Sequence, residues 1–153
     1  MLDDLLRLVS DAGSLQSRLV LVLGGSYSSR SDLLAGAAVH LDGQVLPLGI
    51  HFARLIATVP RRQRPLQAGP LLRDVVDASF KSGPVAVLDR IEVLFDRSLR
   101  LDALDALKRL AHSRTVVAAW PGELRNGRLL YAPASHPEHC DHAVGGYLVH
   151  EIT

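Results

Sequence analysis

Arg18-Leu19-Val20-Leu21-Val22-Leu23-Gly24-Gly25-Ser26-Tyr27-Ser28-Ser29-Arg30-Ser31 is the stretch on which the fold turns. Residues 19–23 are apolar without alternation, and Gly24-Gly25 stops them. A run that short and that continuous suits a strand buried on both faces, as in a parallel sheet under helices. Residues 24–31 come close to the phosphate-binding pattern G-x-x-x-x-G-K-[ST] between a strand and a helix. That chemistry needs backbone N–H groups around a phosphate at a helix N-terminus, a cation for the β/γ-phosphates and a hydroxyl for Mg²⁺. Gly24 takes the first glycine position and Ser31 the hydroxyl position, while Ser29 stands for the second glycine and Arg30 for the lysine. Serine resists torsions that glycine allows, and arginine is longer and planar. The expectation is a nucleotide cradle of Gly24, Gly25, Ser26, Tyr27, Ser28, Ser29, Arg30 and Ser31, with a small-residue helix opening at Ser31-Asp32 and running to His40.

Working outward, Val85-Ala86-Val87-Leu88-Asp89 is a second buried strand that ends in an acid, the Walker B pattern, which delivers a carboxylate toward the Mg²⁺ shell. Ser31 and Asp89 are therefore the candidate metal ligands and Asp89 a candidate catalytic residue. Many such ATPases carry a water-orienting glutamate next; here Arg90 stands there, and Glu92 is the following acid and the second catalytic candidate. A third buried strand over 115–120 falls after Asp89, as in NTPases that insert a strand between those bearing the two motifs. Apolar spacing predicts helices over 2–9 with a stop at Gly13, from Ile50 to a stop at Pro60, from Pro70 in a first turn to a break at Gly83-Pro84, and over 101–111. A turn at Asp42-Gly43 leads to a weak strand over 44–48 whose Pro47 favours an edge. Glu123 to Arg125 and Arg128 to Tyr131 form a hairpin about Asn126-Gly127. A polar, His-rich loop over 133–142 and a last strand over 147–152 complete the chain. Strands alternating with helices predict one domain over residues 1–153, an α/β three-layer sandwich with a mainly parallel sheet.

Composition narrows the class. The 153 residues hold 17 Lys+Arg against 16 Asp+Glu, a formal charge of +1, so no global field draws the chain to DNA or an anionic membrane. With 48% hydrophobic and 22% charged residues, it can build a core. A single cysteine, Cys140, excludes an internal disulfide and a multi-cysteine zinc site. Without a basic n-region or a span-length apolar run, the expectation is a soluble, cytoplasmic protein with no membrane partner. All cations but Lys81 and Lys108 are arginines.

Order and spacing together resemble the BrxF family, small P-loop-containing proteins of type 3 bacteriophage-exclusion (BREX) defence systems. The resemblance runs over most of the chain. It is carried by Leu88-Asp89-Arg90-Ile91-Glu92-Val93-Leu94-Phe95-Asp96, by Arg114-Thr115-Val116-Val117-Ala118-Ala119-Trp120-Pro121-Gly122-Glu123, by Tyr131-Ala132-Pro133, by His136-Pro137-Glu138 and by the segment 60–66. It implies an AAA-like P-loop NTPase core that binds ATP or a related nucleotide with Mg²⁺, with other BREX proteins as partners. With the lysine and the glutamate replaced, slow or weak hydrolysis is expected, and a site decayed to a scaffold or DNA-associated assembly factor is the alternative. AAA-type ATPases usually carry a helical lid after the core, and none is expected here. A homo-oligomer could cover the open cleft, one of Arg97, Arg100, Arg114, Arg125 and Arg128 acting across the interface.

Other clusters weigh less. His136, His139, Cys140 and His142 lack the second ligand pair usual for zinc and suit a polar loop. Arg61, Arg62 and Arg64 on the proline-bracketed segment are candidate contacts to DNA phosphates, though three charges are few for a duplex. Trp120 and Phe95 are expected in the core.

Overall fold

The computed structural model describes residues 1–41, 43–81 and 85–152. Five strands, β1 (Leu19–Gly24), β2 (Val45–Pro47), β3 (Val85–Asp89), β4 (Thr115–Ala119) and β8 (Leu148–Ile152), form one all-parallel sheet in the order β2-β3-β4-β1-β8. The strand with Pro47 is at the edge, where a residue lacking an N–H interrupts least. Strand β4 lies between β1 and β3, the inserted position expected from the sequence.

Alternation along each strand divides two cores. Leu19, Leu21 and Leu23 of β1, Ala86 and Leu88 of β3, and Val116 and Ala118 of β4 face one side. There they pack on α3 (Leu48–Ala57), α4 (Arg64–Ser79) and α5 (Ala103–Leu110) through Phe52, Leu72, Val76, Leu104 and Leu107. Val20, Val22, Val87, Val117 and Ala119 face the other side, under α1 (Leu2–Ala12) and α2 (Tyr27–His40), against Leu5, Val9, Leu34 and Ala37. Both faces being covered, the strands need no polar alternation, which is why their sequence runs are continuous. This is the three-layer α/β/α sandwich.

Between β4 and β8 lies a second, antiparallel sheet, β5 (Glu123–Arg125), β6 (Arg128–Tyr131) and β7 (Cys140–Ala143). Its hairpin turns at Asn126 and Gly127, both with positive φ, as a tight two-residue connection requires. Trp120 docks this sheet: its indole Nε1–H donates to Leu130 O at 3.0 Å, and its ring meets Phe95 edge-on, with ring centroids 5.3 Å apart. Phe95 in turn stacks on Tyr131. Trp120 and Phe95 are core residues, as expected.

Four expectations are corrected. Helix α2 starts at Tyr27 rather than Ser31, because Ser26 caps it. Helix α4 starts at Arg64, with Pro65 in its first turn, so Pro70 lies inside it. The turn that Pro70 loosens begins at Leu66, 82% exposed, where solvent can take the freed carbonyl. The basic segment is a 3-10 turn (Arg61–Gln63) feeding α4 rather than a loop. The His-rich stretch contains strand β7, the partner of β6. The turn expected at Asp42 and the break at Gly83-Pro84 lie outside the described residues.

Candidate functional site

Strands β1 and β3 end at the same edge of the sheet, so Gly24 and Asp89 close the two segments on which the sequence motifs sit. Gly24 and Gly25 both take positive φ, +84° and +60°. At Gly24 a Cβ would stand 2.5 Å from Ile152 O, and at Gly25 one would stand 2.6 Å from Ser29 Oγ, so the turn has room only for glycine. Two glycines reverse the chain quickly, and Ser26 then starts α2. Its Oγ accepts from Ser29 N at 3.0 Å while Ser29 Oγ accepts from Ser26 N at 2.8 Å, a reciprocal capping box. Of the residues read as a phosphate cradle, Gly24, Gly25 and Ser26 precede the helix, and Tyr27, Ser28, Ser29, Arg30 and Ser31 lie in its opening turns.

This local structure decides where the polar groups go. Arg30 reaches back and donates to Gly24 O at 3.0 Å and Gly25 O at 3.4 Å. Its guanidinium also lies 5.9 Å from the centroid of the Tyr27 ring, and that of Arg90 lies 5.6 Å from the same centroid. Arg90 holds a left-handed backbone, φ 53°, immediately after Asp89. Its amide donates to Asp89 Oδ1 at 2.8 Å. Asp89, only 7% exposed, receives at its other oxygen the hydroxyl of Ser31, at 2.6 Å. The Tyr27 phenol is held above its ordinary value first by burial, then by Asp89; Arg90 opposes this, Glu92 reinforces it and Arg30 opposes it.

Glu92 sits half-buried on the 3-10 turn Ile91–Phe95, in the electrostatic reach of Tyr27 and of Tyr131. Sequence reasoning did not place Arg90 among the binding residues. The available signal was its position straight after the strand-ending acid. Arg61 and Arg62 stand apart, on the turn between α3 and α4, and Arg64 opens α4. Arg64 is occupied internally, donating from Nε to Val59 O at 3.1 Å and from a terminal nitrogen to Ser98 Oγ at 3.2 Å. Among the arginines read as candidates to act across an interface, Arg114 ties β4 to α4 through Asp77 and Phe80 O. Arg125 pairs with Glu123 and Arg128 with Asp141. His139 Nδ1 is 2.9 Å from Ala132 O, and His136 Nδ1 accepts from Glu138 N at 3.0 Å, so both rings are engaged in shaping their own turn.

The residues at the sheet edge suit a small hard cation. Ser31 and Asp89 bring a hydroxyl and a carboxylate together, and Mg²⁺ characteristically takes one or two carboxylates while phosphates and waters complete its octahedron. Among the described residues no group of three or more His, Cys, Asp or Glu could hold a metal without such help. For an anion the same turn is narrow: Ser29 Oγ fills the space beside Gly25, and Arg30 is spent on carbonyl oxygens.

No family model matches the sequence, and neither does any curated protein. Solved structures do match. Over 82% of this chain and 37% of that one, the fold superposes on C. elegans PCH-2 with a TM-score of 0.50 at 16% identity. The fold is P-loop NTPase-like, an α/β sandwich about a parallel five-stranded sheet. A structure of AMPPCP-bound DnaA from Aquifex aeolicus aligns with 81% of the chain and 38% of its own, with a TM-score of 0.46 at 13% identity. The chain spans less than two-fifths of either structure. Among the described residues no helix is long and apolar enough to cross a membrane.

Proposed function

We propose that this chain is a nucleotide-binding P-loop subunit of a type 3 BREX antiphage system, taking ATP with Mg²⁺ and hydrolysing it slowly. The observation that carries the reading is the 2.6 Å contact between Ser31 Oγ and Asp89 Oδ2, which joins the hydroxyl and carboxylate of the two motifs on a P-loop NTPase-like fold. The BREX assignment rests on the BrxF-like segments, among them 88–96 and 114–123. A homo-oligomer that covers the cleft is part of the same reading.

In this reading Ser31 and Asp89 hold the ion, which when bound would draw charge from the phosphate oxygens. Arg30 leaves the carbonyls of Gly24 and Gly25 and turns toward the β/γ oxygens. The first turn of α2 opens as the Ser26–Ser29 box breaks, exposing the amides it had satisfied. Losing a cap of this kind costs about 1 kcal/mol, and giving up Arg30's two carbonyl bonds adds to it, so affinity is modest. Glu92 orients the attacking water. Arg90 stands where many such ATPases place a glutamate, which accounts for the slow rate.

One observation favours a second reading, a scaffold whose site has closed: Arg30 and Ser29 fill the turn themselves. Calorimetry with ATP and Mg²⁺ separates the two. Nucleotide binding predicts measurable heat that disappears with EDTA and falls at least tenfold in Ser31→Ala and Asp89→Asn. Absence of both heat and thermal protection at millimolar ATP establishes the scaffold.

A further inference from the structure

The turn Arg61–Gln63 and the turn Arg97–Leu99 come from segments far apart in sequence, yet they lie side by side. Arg64, the residue directly after the first turn, ties the two together: its side chain bonds Val59 O, just before that turn, and Ser98 Oγ on the second. Asp96 caps the second turn by accepting from Ser98 N at 2.8 Å. On this frame Arg61, Arg62, Arg97 and Arg100, together with Pro65 and Ser98, line a concavity of about 750 Å³. All four arginines are exposed, and among the described residues none forms a salt bridge or a side-chain hydrogen bond. Arg114, Arg125 and Arg128, by contrast, are each paired with an acid. Arg100 is held in the left-handed region, φ 48°, a conformation that costs an arginine energy and here aims it into the cluster. Asp96 lies beside the group, and Arg100 also shares neighbouring hollows with Asp102, Asp105 and Glu138; the Asp96 carboxyl is held below the ordinary range first by its bonds to Ser98, with Arg61 and Arg64 adding to this.

We propose that Arg61, Arg62, Arg97 and Arg100 form a binding site for the phosphate backbone of nucleic acid. Unpaired guanidiniums set on a stiff frame are pre-organised to grip phosphate oxygens in forks. The cluster includes no aromatic side chain, so the contact reads backbone charge rather than stacked bases. The net charge of +1 provides little general attraction, which makes the local cluster the source of affinity. Arg64, expected from sequence to touch phosphate, serves instead to position the two turns. The site is separate from the Ser31–Asp89 edge and does not depend on nucleotide binding there.

Fluorescence anisotropy with a labelled duplex of about 30 base pairs, titrated across salt, tests this. Four phosphate contacts predict a log–log salt slope of about −3 to −4, and Arg61→Glu with Arg97→Glu should weaken low-salt binding more than tenfold and flatten the slope by about 2. Arg61→Gln with Arg97→Gln should move both in the same direction by less, while the melting temperature holds. Arg7→Glu with Arg125→Glu changes charge equally at exposed positions outside the cluster and should lower affinity little. The proposal is overturned if the wild-type chain fails to bind at low salt, or if the control pair weakens binding as much as the cluster pair. It is also overturned if inorganic phosphate at matched charge displaces the duplex, which would mark a small-anion site.

Discussion

Ser31 and Asp89 are 58 positions apart, and their contact is one that motif reading anticipated: each lies at a predictable offset from the end of a buried strand. Arg30 is the opposite case. Its identity was visible in the sequence, but its fold back onto Gly24 O and Gly25 O depends on where the helix begins, and no residue type dictates that. His150 shows how a single side chain carries a pH dependence. It lies on β8, half-buried, and its Nε2 has no hydrogen-bond partner among the described residues. Burial lowers its proton affinity from the ordinary value of 6.5, Asp4 on α1 opposes that, and the N-terminal amine reinforces it. The unfolded chain therefore takes up a proton as pH falls through 6.5, before the folded chain does, and folding stability is lost on the acid side. His150→Leu should remove that share. Urea unfolding at pH 7.5, 6.5 and 5.5 checks it: the variant's stability should fall less than the wild type's over the same steps.

At the scale of elements, the buried strands were legible and the helix starts were not. A continuous apolar run needs two covered faces, which fixes β1, β3 and β4 and, with the inserted strand, their order. Helix α2 was placed late because a capping box of two serines looks, in sequence, like more of the same Gly/Ser loop. Helix α4 was placed late for a related reason: both Pro65 and Pro70 suit a first turn, and only packing chooses between them. Strand β7 escaped notice because its four residues, half-buried and exposed in turn, carry no apolar run and are ordered as a strand by pairing with β6. That makes the small sheet dependent on its dock. Gly122 has Leu130 O so close that a Cβ would overlap it, and the same carbonyl accepts from Trp120. Trp120→Phe keeps an aromatic against Phe95 but leaves this carbonyl without its donor, at a cost of roughly 1–3 kcal/mol. Limited trypsin digestion should then cut faster at Arg125 and Arg128, ahead of any cut in the main sheet. Equal cleavage rates in the two proteins would show that the hairpin holds without the bond.

The main sheet carries a core on each side, and each of its central strands contributes side chains to both. Damage to either core is thereby felt by the same strands, so the two cannot melt separately. Leu21 is fully buried in the middle of β1, between β4 and β8, and its neighbours Val20 and Val22 anchor the opposite face. Truncating it to alanine leaves a cavity at the centre of the sheet, for which core Leu→Ala changes typically cost about 2–5 kcal/mol. In a chain of this size that corresponds to a fall in melting temperature of roughly 5–20 °C. Leu66→Ala, at an exposed position, should stay within about 0.5 kcal/mol of wild type. The decisive feature is the shape of the transition. Near-UV and far-UV circular dichroism of Leu21→Ala should fall together at the lowered midpoint, with an unchanged denaturant slope. Two separated midpoints would mean that the layer of α1 and α2 can hold its strands without the layer of α3, α4 and α5, and that the cores are independent after all.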